Sequence, residues 1–135
     1  MVSIRESRPG SDRCGAAAIE YALILPVMLL LILGIMDAGR LLWTYTTLYR
    51  ASEAAARCAA INTTDCGTAT QIKNRAVAEA WGLTINPSVF TVTAPSCGVQ
   101  VRADYDFTFI VPWFPWFEGA PFGTIMLNAT ACYPQ

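Results

Sequence analysis

Residues Ala16–Met36 read AAAIEYALILPVMLLLILGIM, and from Ala22 to Met36 there is no charged or polar side chain. Coiled into a helix at about 1.5 Å per residue, the segment would extend about 31 Å, the thickness of a bilayer's hydrocarbon core. Arg5, Arg8 and Arg13 precede it against Glu6 and Asp12, so the positive-inside bias places the N-terminus in the cytoplasm and everything after Met36 outside it. The one charge in the span is Glu20. A carboxylate at mid-bilayer costs roughly 2.5 to 3.5 kcal/mol, whereas the Leu, Ile and Val side chains between Leu23 and Ile35 together return about 3 to 6 kcal/mol, so insertion survives the acid. An acid kept in such a place is a functional candidate. Pro26 lacks an N–H, frees the carbonyl of Ala22 and is expected to kink the span. A cleaved secretory signal fits poorly, because the apolar run is too long, contains Glu20 and is followed by no good A-x-A site.

Composition narrows the function further. Of 135 residues, 54% are hydrophobic and 14% charged, and most of that skew is concentrated in the span. Outside it about ninety residues remain, enough for one small domain. A net charge of -1 with no basic block argues against nucleic acid as a partner. The chain has no histidine, which removes the usual general acid/base and metal ligand, and no C-x-x-C spacing, so neither metal nor cofactor is expected. Asp104 and Asp106 share one strand face without an identifiable partner and read as solvated surface, so the chain is read as a non-enzyme.

Beyond the span the helical pattern continues. Leu41, Leu42, Tyr45, Leu48, Tyr49, Ser52, Ala55, Ala56 and Ala59 recur at three- and four-residue spacing, which predicts one long helix to about Ala60 with an amphipathic outer half. Asn62 to Gly67 reads as a loop. Thr68 and Gln71 form a capping-box pattern that opens a second helix to Trp81, with Gly82 as its stop. After Pro87 the period changes to two. Val89 to Ala94 suits a strand. From Cys97 to Val111 every odd position is apolar or small, and Ile125, Leu127, Ala129 and Ala131 give a third strand. The expected fold is therefore α+β: a long N-terminal helix, one short helix, and a roughly three-stranded antiparallel sheet whose apolar face lies on the long helix.

Four cysteines follow the span, Cys58, Cys66, Cys97 and Cys132, an even number suited to two disulfides in an oxidising compartment. Cys58 with Cys66 is the local pairing. Cys97 with Cys132 would join neighbouring strands, but pairing the apolar faces turns Cys97 inward and Cys132 outward, so it needs a bulge or a frayed strand end. Between the last two strands lies Pro112-Trp-Phe-Pro-Trp-Phe-Glu-Gly-Ala-Pro-Phe122, whose prolines forbid a continuous strand and whose aromatics must bury something. Trp113, Phe114, Trp116 and Phe117 either cap this chain's own core or meet a partner or lipid.

Immediately before the span, Gly15-Ala16-Ala17-Ala18-Ile19-Glu20-Tyr21 follows a short polar leader. This resembles the class III signal of prepilins, cut after the glycine. The longer run Gly15 to Leu42, with Glu20, Pro26, Gly34 and Asp37-Ala38-Gly39-Arg40, resembles the N-terminal module of TadE-like pseudopilins, minor prepilins of the tight-adherence (Flp pilus) system. Tyr21 also matches the Glu-Tyr pair of the major Flp pilin, which is a short chain with hardly any globular part. The resemblance implies a leader at 1–15 ending at a Gly15–Ala16 processing site, a transmembrane helix at 16–36 and an extracytoplasmic domain at 37–135. Cys14 would depart with the leader. It further implies that Glu20 pairs with the new Ala16 amine of a neighbouring subunit. The implied partners are a prepilin peptidase, other pseudopilins, the Flp pilin, the inner-membrane assembly platform and the membrane itself. An unprocessed signal-anchored envelope protein with a periplasmic binding or adaptor domain is the alternative.

Overall fold

A computed structural model of the chain describes residues 12–110 and 123–134. The polypeptide divides into two compact units, Met1–Met36 and Asp37–Gln135. Helix α1 runs over Asp12–Ile61 and contains Pro26.

In the first unit each side chain from Ala17 to Leu33 is exposed. This helix is long and apolar enough to cross a membrane. So many uncovered Leu, Ile and Val side chains would be untenable in water, and their exposure fits membrane anchoring.

The second unit is the expected α+β arrangement. It packs the rest of α1 with α2 (Ala69–Glu79), a 3-10 turn (Pro87–Val89) and strands β1 (Phe90–Thr93), β2 (Val99–Thr108) and β3 (Thr124–Tyr133). The sheet is antiparallel in the order β1-β2-β3, with Val101 opposite Val92 on one side and Ala131 on the other. The alternation read from the sequence sets the faces of β2. Val99, Val101, Ala103 and Phe107 are buried, while Arg102, Asp106 and Thr108 are exposed. Leu127, Ala129 and Ala131 of β3 lie opposite Tyr105, Ala103 and Val101 on the same inner face. Of these, Leu127 and Ala129 share one core with Leu48, Ala51, Ala55, Ala56 and Ala59 of α1 and with Phe90 of β1. Alanine on both sides lets helix and sheet approach closely, and dense contact rather than side-chain size then supplies the cohesion.

Three local readings are corrected. The buried row of α1 is Asp37, Thr44, Leu48, Ala51, Ser52, Ala55, Ala56 and Ala59, with Leu41 partly buried, while Leu42, Tyr45 and Tyr49 are exposed. Those three sit one position after Leu41, Thr44 and Leu48, hence about 100° round the helix. That row consists mostly of small and short polar side chains, with Leu48 its one large apolar member. Helix α2 ends at Glu79 rather than Trp81. Its capping box is formed, with the Gln71 amide donating to Thr68 Oγ1 at 3.3 Å and the Thr68 amide to Gln71 Oε1 at 3.0 Å. Gly82 takes a left-handed φ of 77°, the turn that carries the chain away from α2. The first strand starts at Phe90, because Pro87 and the Asn86 side chain, which accepts from the Ser88 amide at 3.0 Å, hold the preceding residues in a 3-10 turn.

Candidate functional site

The N-terminal half of α1 gathers most residues that the sequence marks for processing and assembly. Gly15 and Ala16 lie in its first turns, and Glu20, Tyr21 and Pro26 follow along the same rod. Glu20 and Tyr21 are exposed, so neither is tied to this chain's own core. The helix continues through Pro26.

The cysteines are brought together in two bonds, Cys58–Cys66 and Cys97–Cys132, with Cα atoms 5.8 Å and 6.3 Å apart. The second bond meets the frayed-end condition. Strand β2 begins only at Val99, and Cys97 lies in the preceding turn, where the Gly98 amide donates to Pro95 O at 3.0 Å. Gly98, at a φ of 119°, allows Cys97 to leave the period-two alternation and reach Cys132. Trp113, Phe114, Trp116 and Phe117 lie outside the described residues.

Asp37 is a residue whose role the sequence left unassigned. It is the first residue after the apolar run, yet it is only 2% exposed. Its two carboxylate oxygens accept the Ile110 amide at 3.0 and 3.2 Å, and Arg40 Nη1 donates to Oδ1 at 3.0 Å. The same guanidinium lies over the Phe107 ring, 5.3 Å from its centroid, and Phe107 meets Phe109 edge to face. The acid and the arginine of the Asp37-Ala38-Gly39-Arg40 stretch thus fasten α1 to the segment that leaves β2. A charge-assisted bond in a water-poor setting is a strong tie. By contrast, Asp104 accepts Arg102 Nε at 2.9 Å on the solvent face, where Arg102 Nη2 also donates to Asn128 Oδ1 at 2.9 Å. That is a surface network.

Comparison with known families bears directly on this helix. Residues 15–57 match the TadE-like protein family. The resemblance carried by Gly15 to Leu42 therefore holds over a longer stretch. The TadE-like module begins at the glycine before the span and includes Glu20, Pro26, Asp37 and Arg40. The match covers less than half of the chain and shows similarity to that family over this segment alone. Ile110 and Phe107, the partners of Asp37 and Arg40, lie beyond the matched residues. No curated protein matches the chain. No solved structure matches it either.

Proposed function

We propose that this chain is a minor pilin or pseudopilin that a prepilin peptidase cuts between Gly15 and Ala16, and that the product takes part in assembling Flp-type pili or in secretion. The observation that carries this reading is the TadE-like match starting at Gly15, on a helix that keeps Glu20 uncovered four residues after Ala16. Cleavage leaves an ammonium group at Ala16. In hydrocarbon that ion and the Glu20 carboxylate are each costly alone, and their pairing between neighbouring copies favours the assembled state. The mature product is anchored in the inner membrane by 16–36, with its N-terminus at the cytoplasmic side and the 37–135 domain in the periplasm. That compartment supports both disulfides. Other pseudopilins, the Flp pilin and the assembly platform are its partners.

Mass spectrometry of the membrane-extracted protein tests the proposal. Loss of residues 1–15 is the expected result, and Gly15→Phe should retain the leader. An intact leader on the native product would overturn processing and leave the signal-anchored adaptor as the better reading.

A further inference from the structure

The large apolar side chains that the second unit leaves exposed are unevenly placed. Ile110 is 56% exposed, and its amide is held by Asp37, the residue directly after Met36 in α1. Leu42, Trp43 and Tyr45 follow within the next turns of the helix, point in different directions around it and are exposed as well. The outer edge of the Trp43 indole lies so close to Gly82 that a Cβ there would stand 3.2 Å from the ring, which sets the neighbouring Trp81, 75% exposed, beside Trp43. Arg40 and Trp43 line a cleft with Asp106, whose partner across the sheet is the exposed Met126. Six exposed apolar side chains thus gather toward one end of this unit. Tyr49 stands midway along the outer half of α1, and at its far end Ile61 alone is of this kind among the described residues, where it leads into the exposed polar run Asn62-Thr-Thr-Asp65.

The apolar end is the one joined to the span. Since Asp37 is bonded to Met36, Ile110 stays close to the end of the apolar run whatever angle the span takes in a bilayer. From Met36 to Trp43 the helix rises about 10 Å, and helical side chains lean back toward the N-terminus. The headgroup layer outside the hydrocarbon is about 5 to 7 Å deep on each side. The Trp43 indole therefore reaches back to that layer, the level at which Trp and Tyr keep the ring in an apolar setting and the polar tip wet.

The charges agree. As a free carboxylate Asp37 would mark the edge of water, but it is 2% exposed and has Arg40 and the Ile110 amide as partners. From Leu41 to Tyr49 the helix carries no charge, and Arg50 is the next one, about 20 Å past Met36. Arg40 is matched by Asp37, and Asp106 adds a negative charge, so nothing at this end draws an anionic lipid and the attraction is apolar. An exposed apolar cluster of this kind marks a contact surface. The bilayer is the surface already at hand: once α1 has inserted, contact with its own leaflet is effectively intramolecular and needs no further encounter.

We infer that the second unit rests on the leaflet from which α1 emerges at Met36, through a collar of Leu42, Trp43, Tyr45, Trp81 and Ile110, and so has a lipid contact of its own besides the span. This rests on reading 16–36 as a membrane span, and it is independent of cleavage at Gly15.

The test uses the full chain carrying 5-fluorotryptophan in phosphatidylcholine nanodiscs, one chain per disc, followed by fluorine NMR with signals assigned by single Trp→Phe variants. Two relaxation agents are compared, a lipid spin-labelled near its headgroup and a water-soluble nickel chelate. Leu31→Trp and Ile61→Trp supply reference signals within the span and at the far end of α1. The expected result is that the labelled lipid broadens Trp43 and Trp81 at least threefold more than the Ile61→Trp signal, equally at low and high salt, and that Leu42→Glu combined with Ile110→Glu lowers the broadening at Trp81 at least threefold. If Trp43 and Trp81 answer to the nickel chelate and not to the lipid, while the Leu31→Trp signal still answers to the lipid, the inference is overturned and the span stands. A Leu31→Trp signal that the lipid leaves sharp overturns the span reading and the inference with it. Broadening at Trp81 that the double substitution leaves unchanged would also overturn the inference, as would Trp43 and Trp81 signals that ignore the lipid but move when a second copy shares the disc, which would mark contact between copies.

Discussion

Asp37 shows what a single side chain can do when its partners come from far along the chain. Replacing it with alanine leaves the Ile110 amide without its acceptor and Arg40 without its counter-ion. The expected loss is about 1 to 3 kcal/mol, read as a lowered unfolding midpoint of the second unit in urea. Arg40→Ala should cost less, about 1 kcal/mol or below, because its side chain is half exposed and the acid keeps the amide. Ser52 offers the opposite case. Its hydroxyl is fully buried and has no hydrogen-bond partner among the described residues, so Ser52→Ala should raise stability by up to about 1 kcal/mol in the same assay. Neither role was legible in the sequence. Asp37 is 73 positions from Ile110, and a serine in a helical stripe gives no sign of whether its hydroxyl finds an acceptor.

The elements themselves were far more legible than these contacts. Period-two alternation identified β2 and β3, because one face is buried and the other wet, and the Thr68–Gln71 pair announced α2 before its length was known. The orientation of α1 was hidden for a physical reason. Its largest apolar side chains, Leu42, Trp43, Tyr45 and Tyr49, lie off the packed face, so hydropathy alone misplaces that face. The strands' ends were hidden by turn geometry at Gly98 and Pro87. Two tests belong at this scale. Thr68→Ala removes the reciprocal cap and should cost about 1 kcal/mol, seen as faster amide exchange in the first turn of α2. Opening Cys97–Cys132 by paired alanine substitution should destabilise more than opening Cys58–Cys66, about 4 against about 2.5 kcal/mol by the chain-entropy relation, since the first bond spans 35 residues and the second 8.

At the level of the whole molecule, the uncovered half of α1 is where association is to be measured. Glu20→Ala should leave removal of the leader intact while reducing crosslinked multimers and pili at the cell surface; normal assembly of that variant would remove the pairing role proposed for the acid. The residues proposed for assembly, Glu20 and Tyr21, are neighbours on one helix, whereas the tie between Asp37 and the Ile110 amide needs the end of β2 to be folded against α1. The bond between Cys97 and Cys132 has a consequence for biogenesis. One of its sulfurs arrives near the end of the last strand, so the sheet can be stapled only after that strand has emerged and aligned with its neighbour. A product truncated within β3 would still possess both helices, yet would present an unmatched thiol at Cys97, ready to capture another cysteine-bearing polypeptide.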